Sequence, residues 1–205
     1  MTGDLRRVVA SYYADKLAAH GPTPAGVDWN GEASQHLRFE QLLRIVDRDT
    51  GTLLDYGCGY GALADVAARR HPGLRYQGFD IAPEMVEAAR RLHPDLELTS
   101  DPDRLEPADF TVASGIFNVR LDHDPDVWQA YVEETLDTLA GLTRRGLAFN
   151  MLTSYSDPER MRDDLHYADP RAVFDHCKRR LSPHVAILHD YGLYEFTVLV
   201  RLEVS

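Results

Sequence analysis

The amino-acid sequence predicts a doubly wound α/β fold built on a mostly parallel sheet of seven strands. After Gly51, short apolar runs alternate with helical segments, a pattern typical of a parallel sheet with helices on both faces. The final two apolar runs are separated only by Gly192-Leu193, so we expect them to pair as antiparallel neighbours. The last strand is therefore predicted to run antiparallel to the rest.

Apolar runs and breaker residues place each element in turn. Strands are predicted at 52–57, 75–81, 96–100, 109–117, 146–152, 184–191 and 194–202. Helices are predicted at 4–19, 32–47, 60–70, 83–92, 125–142, 158–164 and 170–180. The first two have apolar residues at helical spacing, and Pro83 suits a first turn.

The length of 205 residues fits a single domain with a substantial core. We expect residues 1–48 to form an N-terminal helical cap and residues 50–205 to form the α/β core. A loop rich in Gly and Pro separates the two cap helices. This cap is predicted to fold over the ligand site as a lid.

Composition and charge exclude several classes of protein. No apolar run approaches the roughly 18 to 20 residues that span a bilayer, and the N-terminus lacks an apolar signal core, so we expect a cytoplasmic protein. The net charge of −11 argues against a nucleic-acid partner. Two basic clusters, Arg69-Arg70 and 178–180, are interpreted as helix ends, with phosphate binding as the alternative.

A glycine-rich loop at residues 53–64, LLDYGCGYGALA, is the strongest local pattern. Gly57, Gly59 and Gly61 lie between a strand and a helix, where the backbone can approach a ligand closely. A dinucleotide site shows a similar pattern. Asp55 favours a ligand with an ammonium group, since a pyrophosphate would be repelled there. Asp80, at the end of the second strand, suits the ribose of either cofactor.

DYGCGYG followed by GFDIAPEMVEAAR resembles the first two motifs of class I S-adenosylmethionine-dependent methyltransferases, whose fold is Rossmann-like. The resemblance covers about residues 50–120. It implies that Asp55 and the three glycines line the methionine part of the cofactor. It further implies that Asp80 holds the ribose, and that Ile81 and Met85 flank the adenine.

The same family often places an acid after the third strand, where it contacts the adenine amino group. Asp101 has this position, but the next residue, Pro102, has no N–H to donate to the adenine ring. Asp101 is therefore a predicted adenine contact, with an exposed turn residue as the alternative.

The methyl acceptor is expected beside the ends of the fourth and fifth strands, where ligands lie in sheets of this type. Ser114 and Asn118 follow the fourth strand, and Asn150 falls near the end of the fifth. We predict that Ser114 contacts the cofactor, Asn118 orients the acceptor and Asn150 binds it. Loop hydrogen bonding is the alternative for both asparagines.

Two cap residues are candidates for ligand contacts. Trp29 is predicted to stack on the substrate. Arg38 is predicted to bind the cofactor carboxylate, because a guanidinium matches that group bidentately. The alternative for Arg38 is a surface position on an amphipathic helix.

Three residues after the fifth strand are further candidates. His166 and Tyr155 are predicted as bases or positioning groups, and Tyr167 as a substrate contact. The acidic stretch 120–126 is interpreted as a loop that caps the following helix, with a metal site as the alternative, and no metal is predicted.

The leading functional hypothesis is methyl transfer from S-adenosylmethionine to O or N of a small-molecule metabolite. Two alternatives remain at this point. One is a nicotinamide-dependent oxidoreductase on the same sheet, and the other is a cofactor-binding protein without catalysis. The sequence does not indicate the acceptor or the oligomeric state.

Overall fold

The computed structural model describes residues 2–202, which form one eight-stranded sheet with helices on both faces. The strands are β1 (Gly51–Tyr56), β2 (Leu74–Phe79), β3 (Glu97–Thr99), β4 (Ala108–Ala113), β5 (Thr143–Thr153), β6 (Tyr167–Ala168), β7 (His184–Leu188) and β8 (Glu195–Arg201). Their order is β3-β2-β1-β4-β5-β8-β7, with β6 paired to β5. Strand β8 is antiparallel to both of its neighbours, and the other pairs are parallel.

Six α-helices cover the sheet. They are α1 (Thr2–His20), α2 (Glu32–Leu42), α3 (Ala62–Arg70), α4 (Pro83–Leu92), α5 (Pro125–Gly141) and α6 (Pro170–Arg180). Helices α2, α3 and α4 pack on one face of the sheet, and α1, α5 and α6 pack on the other. None of the helices within residues 2–202 is both long and apolar enough to cross a bilayer.

The predicted fold class is confirmed, including the antiparallel last strand, and the largest differences from the predicted elements are at three places. Strand β4 ends at Ala113 rather than 117, because Gly115 has a φ of +75° and turns the chain. Helix α2 ends at Leu42 and continues only as a 3-10 turn to Ile45. The helix expected at 158–164 is a single 3-10 turn at Pro158–Arg160.

Strand β6 was not expected. It has two residues, too few to show the alternation by which a strand is found in sequence.

The connection from β3 to β4 contains no α-helix. Only a 3-10 turn, Pro102–Arg104, lies between these strands. The uncovered part of the sheet is polar, since Arg75 and Gln77 both donate hydrogen bonds to Glu97, at 2.8 and 2.7 Å. Parallel strands are ordinarily joined through a helix that covers the sheet. Because that helix is missing between β3 and β4, this part of the sheet faces solvent, which explains its polar side chains.

Candidate active site

A cavity of about 280 Å³ lies at the carboxyl ends of β1, β2 and β4. The glycine loop after β1 forms one wall, and the segments that follow β2, β3 and β4 form others. Helices α1, α2 and α5 contribute side chains from both faces of the sheet. This is the edge at which doubly wound sheets bind ligands.

The glycine loop is held against the end of β2 by backbone hydrogen bonds. The N–H groups of Gly57 and Cys58 both donate to the carbonyl of Phe79, at 2.7 and 2.9 Å. Gly57 has a φ of +84°, and a Cβ there would lie 2.3 Å from the Ile116 side chain. Only glycine allows this conformation and this close approach to the segment after β4.

Asp80 organises the same loop through its carboxylate. One oxygen accepts the N–H of Gly59 at 2.8 Å, and the other accepts the N–H of Ala82 at 2.9 Å. Burial raises the pKa of Asp80 to about 6, and the two N–H bonds oppose that rise. The group is therefore ionised at neutral pH. Each oxygen retains capacity for a further hydrogen bond from a ligand.

Asp55, in β1 directly before the loop, also lines the cavity and is 2% exposed. Its carboxylate accepts a hydrogen bond from the hydroxyl of Tyr76 at 2.6 Å. Burial, together with the charge of Asp80, raises the pKa of Asp55 to about 7 despite that bond. A cation in the cavity would favour the charged form of both carboxylates.

The other predicted cofactor contacts divide into two groups. Ile81, Met85 and Ser114 line the cavity, and the buried Ser114 hydroxyl has no hydrogen-bond partner among the described residues. Gly61 instead begins α3 behind the cavity, packed against a histidine ring. Asp101 is exposed and accepts the N–H of Asp103, so the structure places it outside the cavity as the turn residue of the alternative interpretation.

Arg38 is 6% exposed and lies against Glu195, a residue that the sequence analysis did not single out. Its guanidinium donates three hydrogen bonds of 2.5 to 2.9 Å to the Glu195 carboxylate. Arg38 does pair with a carboxylate, as predicted, but the carboxylate is that of the Glu195 side chain and not that of the cofactor. Trp29 does line the cavity, and its ring lies 3.9 Å from the Arg38 guanidinium carbon.

The two asparagines near β4 and β5 hold loops and are not among the residues that line the cavity. The Asn118 side chain accepts the N–H of Leu152 at 3.1 Å. Asn150 accepts the N–H of Gly115 at 2.8 Å and donates to Glu195 at 2.6 Å. Both fit the alternative of loop hydrogen bonding.

The three candidates after β5 also lie outside the cavity. Tyr155 is 63% exposed. The Tyr167 hydroxyl accepts the N–H of Arg162 at 3.0 Å. The backbone N–H of His166 donates to the Asn118 carbonyl, and burial lowers the pKa of the His166 imidazole. The structure therefore brings none of these side chains to the site where they were predicted to act.

Several cavity residues were missed from sequence. Helix α1 contributes Arg6 and Tyr13, and α5 contributes Tyr131. Burial raises the pKa of both tyrosines, so they stay protonated at neutral pH. Arg6 has no ion pair within the part of the chain that the structure describes, and its charge opposes the rise that burial causes in the pKa of the nearby Tyr131. The sequence predicted that residues 1–48 cover the ligand site, but helical periodicity did not indicate which side chains of α1 reach it.

The acidic stretch 120–126 follows the capping interpretation. Asp124 accepts the N–H groups of the first turn of α5, and His123 stacks on Trp128. Within residues 2–202, no three His, Cys, Asp or Glu side chains converge on a point where a metal would bind.

Comparison with known proteins identifies the family. A family model described as a methyltransferase domain matches residues 32–198. A protein of Mycobacterium tuberculosis strain H37Rv, described as a methyltransferase, is 54% identical over 165 residues, which covers 78% of this chain and 98% of the relative.

Solved methyltransferases share the fold at low sequence identity. The N-methyltransferase NodS from Bradyrhizobium japonicum has a TM-score of 0.66 at 15% identity, covering 94% of this chain and 97% of its own. The 1,6-didemethyltoxoflavin-N1-methyltransferase from Burkholderia thailandensis has a TM-score of 0.64 at 17% identity, covering 98% and 90%. With more than half of its length matched by the family model, the chain belongs to the methyltransferase domain family.

Proposed function

We propose that this methyltransferase uses S-adenosylmethionine and transfers the methyl group to O or N of a small molecule. One observation carries the proposal: two buried carboxylates, Asp55 and Asp80, line the cavity next to a glycine loop that Asp80 itself holds in place. The cofactor offers a ribose for one carboxylate and an ammonium group for the other. The structural neighbours NodS and the toxoflavin enzyme were both solved with S-adenosylhomocysteine.

The residues at the cavity fit this cofactor. Asp80 would accept the ribose hydroxyls, with Ile81 and Met85 as apolar contacts of the adenine. Asp55, Gly57 and Gly59 would face the methionine part, and the unpartnered Ser114 hydroxyl supplies a buried hydrogen-bonding group beside it. Gly61 would act through the loop, as the residue that begins α3.

The carboxylate of the cofactor needs a cation, and Arg6 fits that requirement better than Arg38. Arg6 lines the cavity, whereas Glu195 already neutralises Arg38. One Arg38 nitrogen, Nη1, is buried without a partner among the described residues, but Arg38 is not among the residues that line the cavity. We therefore assign the carboxylate to Arg6 and retain Arg38 as the residue beneath Trp29.

Bound S-adenosylmethionine supplies a methyl group on a sulfonium, which an in-line nucleophile displaces. The protein has to orient the acceptor and exclude competing water. Trp29, Tyr13 and Tyr131 enclose the cavity from the side of the cap and α5. Because the tyrosine pKa values are raised, these hydroxyls would donate hydrogen bonds to an acceptor rather than remove its proton.

A small acceptor is supported by the charge and by the neighbours. The net charge of −11 disfavours a nucleic-acid substrate. The solved neighbours include N-methyltransferases and a protein from Burkholderia thailandensis described as belonging to an O-methyltransferase family. We further propose that the chain acts as a single domain in the cytoplasm, with residues 1–48 as the cap and 50–205 as the core.

Calorimetric titration with S-adenosylhomocysteine tests the proposal, with NAD titrated in parallel. Micromolar binding of the first and none of the second is expected. Binding of NAD alone would favour the oxidoreductase alternative, in which Asp55 is only structural. Tight S-adenosylhomocysteine binding without turnover of any O- or N-nucleophile in an acceptor screen would favour a cofactor-binding protein without catalysis.

A further inference from the structure

Glu195 is the centre of a buried polar chain behind the cavity. It lies at the start of β8 and is 1% exposed. Arg38 of the cap donates to both of its oxygens, and Asn150 of β5 donates to one of them at 2.6 Å. A buried carboxylate is stable only with such partners, so each of the three side chains restricts the other two.

The polar chain reaches the cavity through the side-chain amide of Asn150. Its nitrogen faces Glu195, so its oxygen faces the other way and accepts the N–H of Gly115 at 2.8 Å. Gly115 is the turn residue after β4, with a φ of +75°. Its neighbours Ser114 and Ile116 both line the cavity. The orientation of Glu195 therefore fixes a turn that forms part of the cavity wall.

Trp29 connects the two ends of the polar chain. One part of the indole lies against Gly115, where a Cβ would be only 2.4 Å from Trp29 Cζ2. The Arg38 guanidinium lies 3.9 Å from the indole ring centroid. Trp29 thus contacts both ends of the polar chain, and it lines the cavity together with Gly115.

We propose that Glu195 is a positioning residue for the ligand site. It holds Arg38 under Trp29 and, through Asn150, holds the Gly115 turn against the same indole. One carboxylate, which does not itself line the cavity, thus fixes the positions of the cap and of the cavity wall after β4 for ligand binding. The proposal rests on the proposed function, because the ligand that it concerns is the cofactor.

Fluorine NMR on protein labelled with 5-fluorotryptophan tests this proposal. The protein has two tryptophans, Trp29 and Trp128. Trp29 contacts the polar chain, whereas Trp128 lies in the core and is therefore an internal control. Glu195→Gln keeps the side-chain size but places an NH₂ group against a donor. We expect it to shift or broaden the Trp29 resonance and leave that of Trp128 unchanged, with Trp29→Phe providing the assignment.

Calorimetry on the same variant completes the test. We expect S-adenosylhomocysteine to bind about tenfold more weakly to the Glu195→Gln protein, the scale of one lost hydrogen bond to a charged group. The matched control is Glu97→Gln, which alters an exposed glutamate of β3 and should change neither resonance nor affinity.

Three outcomes would overturn the assignment: an unmoved Trp29 resonance, equal changes in both resonances, or a shifted Trp29 resonance with affinity within twofold of the parent. Equal changes would mean that Glu195 only supports the fold. If the parent protein binds no S-adenosylhomocysteine, the proposed function fails instead. The ligand-free spectrum then still decides whether Glu195 positions Trp29.

Discussion

Replacing Asp80 by Asn tests the ribose assignment with little change in side-chain shape. Asp80 accepts two backbone N–H bonds, and Asn has one oxygen to replace two. One N–H, from Gly59 or Ala82, would then face an NH₂ group. An unsatisfied buried donor costs about 1–3 kcal/mol of folding free energy.

The effect on ligand binding follows from the charge. With a pKa of about 6, Asp80 is ionised at pH 7.5. In the proposed complex it would accept charge-assisted hydrogen bonds from both ribose hydroxyls. Loss of a hydrogen bond to a charged group costs about 1.5–3 kcal/mol, so affinity should fall roughly 10- to 150-fold. The same loss is expected for 5′-methylthioadenosine, which has the ribose but lacks the amino-acid end.

Calorimetry at pH 7.5 with both ligands measures the effect, and denaturant unfolding shows whether the variant is folded. Asp101→Asn is the matched control, since it makes the same chemical change at the neighbouring strand end, outside the cavity. It should leave both affinities within twofold. A folded Asp80→Asn protein with parental affinity would refute the ribose role, and a loss in the Asp101 variant would restore the adenine contact.

The remaining predictions concern pH, the glycine loop and the carboxylate. Because burial raises the pKa of Asp55 to about 7, affinity for S-adenosylhomocysteine should fall as pH drops from 8 to 6, and Asp55→Asn should flatten that calorimetric profile. The same raised pKa values of Asp55 and Asp80 make the ligand-free protein less stable as pH rises from about 5 to 8, measured by thermal unfolding. Gly57→Ala should abolish binding, since its Cβ would clash with Ile116 at 2.3 Å. Arg6→Gln should weaken S-adenosylhomocysteine about tenfold in calorimetry and leave 5′-methylthioadenosine unchanged.

For each of these four predictions, one result would contradict the physical reason on which it depends. A flat pH profile in the parent protein would mean that Asp55 does not face a cation. Stability that increases from pH 5 to 8 would show that other groups dominate the linkage. Parental binding by Gly57→Ala would show that Ile116 moves aside easily. Equal losses for both ligands in Arg6→Gln would remove Arg6 from the carboxylate, and Arg7→Gln on the same helix is the control.

The cofactor side of the site was predictable because its signals are local. Gly57 and Gly59 adopt positive φ values within a few residues of the strand that they follow. Asp55 and Asp80 end adjacent parallel strands, so the fold class alone brings them to one edge of the sheet. Position in the chain and rules of the fold were enough to place these four residues.

The polar contacts that support the cavity wall were not predictable, because their partners are distant in sequence. Glu195 meets Arg38 across 157 positions, and no local pattern indicates that pairing. Asn150 was expected at a strand end, but β5 continues to Thr153 and pairs with β8, which buries Asn150 between strands. The predicted end of β5, residue 152, is within one residue of the observed end, so it is the pairing with β8 that makes Asn150 a support for the cavity wall.

We expect acceptor selectivity to arise from the cavity residues that precede the family segment. The family model begins at residue 32, so it includes the glycine loop, both carboxylates and Ser114. Arg6, Tyr13 and Trp29 precede that point, yet all three line the cavity. The proposed ribose and ammonium contacts of the cofactor therefore lie in the segment shared across the family, whereas the proposed carboxylate contact and much of the cover lie before it. Relatives with the same glycine loop but a different first helix are expected to keep the ribose and ammonium contacts of the cofactor, to lose the Arg6 contact and to change the acceptor.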